Sequence, residues 1–446
     1  MRETRSVQLS IFDFISKHEH GLMLDQLSRE LDAHSQLLDL LSVDLIDKSR
    51  KQTGCCGLSV ESVFRCLLLK QMLNISYERL SFHLSDSATY RTFARLAMNQ
   101  YPSRAGLQSV IRKIRPETLQ QINELLCAQW HDQGHIDSTQ VRIDSTVVDA
   151  NIGAPSDSKL LDDSIRVLSR HLATCQRHTG LKLRITDQRR KSRRLAFAIF
   201  YAKRAEKQVL YPDLISCAMI VLKQIDRAII KLELQVQEQP STVQWIQKAE
   251  HYRQLLCKVI HQTQQRVYEN SAVPANEKVV SIFEPHVDII RKGARETQYG
   301  HKINLATDTS GIVTYLSILE GNPADKILYQ PVLKGHQELF GELPITTVAD
   351  GGYASIENAI AARTDGVRQA AFHKRAGLGY HDMGVKRKTL KKLRAFRAGI
   401  EGNISELKRA FGLSKATWKK HDGFKAFVWS SVLAYNLVRV ARLSTA

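Results

Sequence analysis

A mainly apolar stripe recurs at helical spacing through residues 1–135, as at Val63, Cys66, Leu67, Lys70 and Leu73 and again at Leu80, Leu84 and Tyr90. That region is expected to be a helical N-terminal domain. Within it, LSVESVFRCLLLKQMLNISYERLSFHL reads as a long helix, a break at Asn74 to Ser76, and a second, short helix. Two helices so joined suit a helix-turn-helix for DNA recognition, and equally a dimerisation or packing role. At QVRIDSTVVDAN the pattern changes to that of a strand. Helical periodicity returns between Ser156 and about Tyr268, and then QYGHKINLATD, a DTSG turn and IVTYLSIL predict a hairpin. Residues 324–340 read as helix, ITTVAD and VRQAAFH as strands. A long basic helix is expected from Lys388 to Phe411, with another from Gly423 to Ala441 packed on it. This order predicts an α/β fold, α-rich overall, in which a domain over 136–446 is interrupted at 156–290 by a long helical insertion after its first strand.

Charge narrows the class. The 446-residue chain has 64 Lys plus Arg against 45 Asp plus Glu, a net charge of +19, and a pI near 9.6. Such a balance favours a polyanionic partner through counterion release, nucleic acid first, although a merely basic or ribosome-associated protein would share it. Cys55, Cys56, Cys66, Cys127, Cys175, Cys217 and Cys257 are scattered without a CxxC pair, which supports neither a zinc site nor a disulfide framework. The opening MRETRSVQLSIFDF lacks the apolar core of a secretion signal, and the longest apolar run, near Leu195 to Ala202, is too short to span a bilayer. A soluble cytoplasmic protein without membrane contact is expected.

Three acids stand out. Alternation along VRIDSTVV puts Asp144 with Arg142, Thr146 and Val148 on one face, and Val141, Ile143, Ser145 and Val147 on the other. A carboxylate inside a central strand is costly unless it binds a cation or is paired, whereas on an edge strand it would simply face water. Asp149 competes for the role but falls on the opposite face. Asp350 ends ITTVA before Gly351 and Gly352, a position where open α/β sheets bind ligands and where ordinary turns also place Asp. On the last basic helix, Arg394, Arg397 and Lys408 share the face of Glu401 within a stripe roughly 60° wide. Leu390, Leu393, Ile400, Ile404, Leu407 and Phe411 form the adjoining apolar stripe, suited to docking on a sheet. Gly399 and Gly402 each cost about 1 kcal/mol in a helix interior, so another backbone, a metal or DNA is expected close to both. The plainer reading of this helix is a solvated face with an Arg397–Glu401 pair. Glu406, on a different face, is the other candidate for the third acid.

Together, three such acids can hold two Mg²⁺ or Mn²⁺ ions, hard cations that prefer oxygen. Two metals about 3.5 to 4 Å apart activate an attacking hydroxyl and stabilise the leaving 3′ oxygen of a phosphodiester. No GxSxG elbow, GxxxxGK[ST] loop or Cys/His dyad competes for the chemistry. Arg397 and Lys408, beside the acid, would neutralise DNA phosphates.

Five ordered segments then resemble a family, the bacterial insertion-sequence transposases with a DDE triad on a ribonuclease-H-like fold. They are VFRCLLLKQMLNISYERLSFHLSDSATYRTF, RIDSTVVDANI, YGHKINLATDTSGIVTYLSILEGNPAD, VADGGYAS and RAGIEGNISELKRAFGL. The last is similar to the family's YREK signature through Arg397, Glu401 and Lys408, while Arg394 stands where that signature has its Tyr. The resemblance implies that Asp144, Asp350 and Glu401 are catalytic and metal-binding, and that 136–446 is the ribonuclease-H-like catalytic domain. It implies that the protein binds double-stranded DNA, both the terminal inverted repeats of its element and its target. It further implies a homodimer in a synaptic complex, associated with the nucleoid when bound, that cleaves and transfers strands. The chain departs from the pattern in the long helical stretch between Asp144 and Asp350, and it lacks the β-strand insertion that some relatives carry before the Glu.

The insertion carries LKLRITDQRRKSRRLAFAIFYAKRAEK, where Lys182, Arg184, Arg189, Arg190, Lys191, Arg193 and Arg194 suggest a phosphate-tracking surface. The interleaved Phe197, Phe200 and Tyr201 are expected to be core, the usual place of aromatics at helical spacing. A second patch, with Lys388 and Lys391, leads into the Glu401 helix and could deliver DNA to the metals. His131 and His135 are expected to mark an ordinary helix end, and His301 and Lys302, on opposite strand faces, receive no catalytic role. Two other functions remain open: a structure-specific DNA nuclease, and a catalytically inactive, sequence-specific DNA-binding protein.

Overall fold

The computed structural model describes residues 3–5, 17–47, 49, 57–179, 181, 183–234, 240–291, 296–373 and 377–443; Cys55, Cys56 and Lys182 lie outside them. The N-terminal helical pattern becomes α1 (Glu19–Ala33), α2 (Leu37–Leu45), α3 (Val60–Met72), α4 (Tyr77–Asp86), α5 (Ala88–Phe93), α6 (Arg104–Ile111) and α7 (Pro116–Asp132). Serine caps explain several starts: Ser59, Ser76, Ser87 and Ser103 each accept a hydrogen bond from the backbone N–H three residues on. Between α3 and α4, Asn74 adopts φ 48°, a left-handed conformation that Asn tolerates better than most residues. α3 is buried on all sides from Val60 to Gln71, so it is a core helix rather than an amphipathic one. Its Arg65 is accommodated by ion pairs to Glu61 and Asp32. α7 ends as expected near His131, with Gly134 in the left-handed region at φ 79°.

The chain divides into two compact units, Met1–Asn151 with Gly300–Ala446, and Ile152–Tyr299. β1 (Gln140–Asp149) belongs to the first. The second, taken by itself, comprises α8 (Asp157–Thr179), α9 (Arg189–Tyr201), α10 (Arg204–Leu234), α11 (Pro240–Val267) and the short β2 (Asp288–Ile290). Leu161, Ile165, Leu214, Val221, Ile225, Leu256 and Val259 form its core.

The first unit resumes at Gly300, within β3 (Gln298–Thr307), and continues with β4 (Val313–Ile318), α12 (Tyr329–Phe340), β5 (Thr346–Ala349), α13 (Ile356–Thr364), β6 (Gln369–Phe372), α14 (Arg387–Ala410) and α15 (His421–Leu443). β1 pairs antiparallel with β3 and parallel with β5, β3 pairs antiparallel with β4, and β5 pairs parallel with β6. The sheet is therefore mixed, in an α/β fold, and β1 is an interior strand. An edge position for Asp144 is thereby excluded. Val141 and Ile143 enter a core with Tyr329, Val332, Val348 and Phe372. The opposite face of β1 meets α14: the Arg142 guanidinium donates to the carbonyls of Phe396, Asp308 and Thr309 and lies 4.7 Å from the Phe396 ring. α15 packs on α14 as the pattern predicted, through the Asn403–Tyr435 hydrogen bond and an edge-on contact of Phe411 with Tyr435.

Candidate active site

The parallel register of β1 and β5 sets Ile143 beside Ala349. One residue further along each strand therefore places Asp144 and Asp350 side by side. α14 brings Arg397 and Glu401 over the same point. The guanidinium of Arg397 reaches all three acids, with Nη2 3.4 Å from Asp144 Oδ2 and 3.7 Å from Asp350 Oδ1, and Nη1 2.8 Å from Glu401 Oε1. The helical pair that the plainer reading required does exist, and it is one corner of a larger cluster. Arg397 is buried, so its charge is stable only in such company. Its Nε is buried without a hydrogen-bond partner among the described residues.

Three carboxylates against one guanidinium leave an excess of negative charge that a bound cation would offset. The donors are all carboxylate oxygens, which suit hard divalent ions. Asp350 and Glu401 keep 45% and 60% of their side chains exposed, so an ion has access. In donor chemistry, charge and access, the residues fit a divalent metal.

Beneath these acids lies a support that sequence reasoning missed. Ser145 faces away from Asp144 and donates its Oγ to Asp325 Oδ1 at 2.9 Å, which also pairs with Lys302 Nζ at 2.6 Å. Gly352 is required here: a Cβ on it would lie 2.7 Å from Asp325 Oδ2. The buried Tyr353 donates to Asn304 Oδ1 at 2.7 Å. Burial pushes its phenol pKa up, and Asp325, Asp144 and Asp350 push it further, so it remains a proton donor. In the sequence, Asp325 is one acid at the start of the helix expected over 324–340. A usable signal was Lys302, a cation in a strand buried from Gly300 to Thr307, which must find a counter-charge.

Other expectations fare differently. Glu406 pairs with Arg439 and Arg442 of α15, a helix-to-helix contact, and does not join the acid cluster. The backbone of Asp149 is bound by residues 414–416. Gly399 is close-packed, but by a side chain: a Cβ would stand 1.8 Å from Arg142 Nη1. Gly402 has nothing within 4 Å, so no close approach explains it. Lys388, Lys391 and Arg394 are exposed on α14, and Lys408 is half-buried there. On α9, Arg189, Arg190, Arg193 and Arg194 are exposed as expected. Phe197, Phe200 and Tyr201 are not core: they are 65%, 67% and 69% exposed, because Ser192, Leu195 and Ile199 supply the buried face of that helix.

The family model for the transposase DDE domain matches residues 273–437, and that for a transposase domain (DUF772) matches residues 10–113. The chain belongs to the insertion-sequence DDE transposases. No curated protein and no solved structure matches it. The transposase is thus an enzyme of DNA cleavage and transfer, from a family that generally uses divalent metal ions. Asp350, Arg397, Glu401 and Lys408 lie inside the DDE match, as do Lys302, Asp325 and Tyr353. Asp144 lies outside both matches, and its link to the others is spatial. Among the described residues no helix is long and apolar enough to cross a membrane.

Proposed function

We propose that Asp144, Asp350 and Glu401 are the catalytic carboxylates of a two-metal DNA cleavage and strand-transfer reaction at the terminal inverted repeats of a mobile element. The observation that carries this reading is the meeting of all three on Arg397. Two Mg²⁺ or Mn²⁺ ions held by these acids would supply Lewis-acid activation of the attacking and leaving oxygens. The chain's own residues do the rest. Asp144 and Asp350 are held rigidly by paired strands, and Glu401 sits on a helix docked across them. Arg397 offsets their mutual repulsion and offers its guanidinium to a scissile phosphate, while Lys408, Arg394, Lys388 and Lys391 line the same helix for the flanking phosphates.

In this reading 136–446 is a ribonuclease-H-like domain, 156–290 its helical insertion, and 1–135 a domain for DNA binding or dimerisation. The α9 cations Arg189, Arg190, Arg193 and Arg194 track the backbone of terminal-repeat or target DNA. The protein works in the cytoplasm, on the nucleoid, as a homodimer in a synaptic complex.

The test uses Asp144→Asn, Asp350→Asn and Glu401→Gln on a duplex carrying an element end. Each is expected to lower Mg²⁺-dependent cleavage at least about a hundredfold, the scale of losing one group that stabilises a transition state, while anisotropy shows DNA binding intact. Cleavage retained in any one removes that residue from the site. Hydrolysed ends without a joined strand would instead make the protein a nuclease, and unchanged behaviour in all three would make it a DNA-binding protein only.

A further inference from the structure

At the turn joining α3 to α4, away from the carboxylates, a cavity of about 530 Å³ is lined by Lys70, Tyr77, Arg104, Arg112, Lys415 and Trp418. Lys70 is 5% exposed, and among the described residues no carboxylate pairs with it. Its hydrogen-bond partner is the amide oxygen of Gln71 at 3.5 Å, and the rings of Tyr77, Phe427 and Trp418 surround the amine at 5.2, 5.7 and 5.8 Å. Burial pulls its pKa down to about 8, as expected for a cation without a counter-ion. In the same walls, Tyr77 Oη and Trp418 Nε1 are buried and have no hydrogen-bond partner among the described residues. Leaving such a donor orphaned is costly unless something reaches it.

The rim adds to this. Arg104, Arg112, Lys415 and Lys419 face the cavity against the single carboxylate of Glu78. The first turn of α4, beginning at Tyr77, presents the positive end of its dipole to the same space. The loop that carries Lys415 and Trp418 is held against the turn at Gly412, whose φ of 74° and close contact with Asn74 Oδ1 leave no room for a side chain. Unpartnered donors, an unpaired buried amine and a cationic rim all ask for one kind of ligand, an oxyanion.

We propose that this cavity is a phosphate subsite that anchors the backbone of duplex DNA at the α3–α4 turn. Arg104, Arg112, Lys415 and Lys419 make the first contacts, and Lys70, Tyr77 and Trp418 form the floor. The assignment uses only the family's DNA substrate and is independent of the catalytic carboxylates.

The experiment measures the affinity of the full-length protein for a fluorescent duplex by anisotropy across a KCl series. Arg104→Gln and Arg112→Gln are each expected to weaken binding and to lower the slope of log Kd against log salt by about 0.9, the value for one DNA phosphate no longer neutralised. Lys70→Met should weaken binding likewise. Lys334→Gln, a control on the α12 surface, should match the wild type. If both rim variants also match the wild type, the proposal is wrong, and these exposed positions decide the matter independently of Lys70→Met. Inorganic phosphate at matched ionic strength should compete for the cavity and displace the duplex more than KCl does, through Arg112. Phosphate binding that Arg112→Gln abolishes while duplex affinity stays unchanged would assign the cavity to a free anion and overturn the DNA assignment. Neither cleavage nor metal enters these measurements, so their outcome is separable from that of the carboxylate variants.

Discussion

Arg397 and Lys70 are both cations buried within the first unit, and they meet burial in opposite ways. Arg397 collects three carboxylates, while Lys70 has ring faces and one amide oxygen. Lys70 therefore carries a titration that stability should report. Its folded pKa of about 8 lies below the ordinary 10.5, so between those limits the unfolded chain binds the proton and the folded chain does not. Stability then rises with pH across that window, and the penalty of burying the charge is fully present below it. We expect Lys70→Met to gain most over the wild type in urea unfolding near neutral pH, and the gain to shrink as the pH approaches the upper limit. A difference that stays constant with pH would refute the shift. The sequence exposed neither residue's surroundings: Lys70 read as one position of a helical stripe, and Arg397 as a partner for Glu401 and for DNA phosphates.

At the scale of the element, α14 shows how a helix can be read correctly in outline and misread in detail. Its position and its apolar docking stripe follow from periodicity, but Gly399 and Gly402 look alike in sequence. Only Gly399 has a close neighbour. A methyl at Gly399 would collide with an Arg142 side chain held by three carbonyls and a ring, so Gly399→Ala should cost about 1 to 3 kcal/mol through overpacking. Gly402→Ala enters open space and should stabilise by up to about 1 kcal/mol through helix propensity. Thermal melts of the pair check this, and a Gly399→Ala protein as stable as the wild type would show that Arg142 can move aside. α9 behaves similarly, since its period marks which residues share a face and not which face is buried. Three of its aromatics point to solvent beside the cations.

For the whole molecule, the net charge of +19 is a statement about partners rather than about fold. If α9 tracks phosphates, replacing Arg189, Arg190, Arg193 and Arg194 with Ala should weaken binding to all duplex sequences alike. The salt slope should also fall by about 0.9 for each phosphate that α9 no longer neutralises. An anisotropy salt series distinguishes this from loss of sequence recognition, and an unchanged slope would show that α9 is only a solvated face.

The sequence by itself determined the order of strands and helices, the basic character, and the acids Asp144, Asp350 and Glu401 as candidates, because periodicity and charge are local properties of the chain. It could also mark the break at Asn74 to Ser76, since a turn and a serine cap are built from adjacent residues. Only the tertiary structure decided that β1 is an interior strand, that Arg397 joins all three acids, and that Lys302, Asp325 and Ser145 brace them from below. Strand pairing and helix docking bring these groups together from distant parts of the chain, and no local pattern records which distant charge a buried side chain will meet.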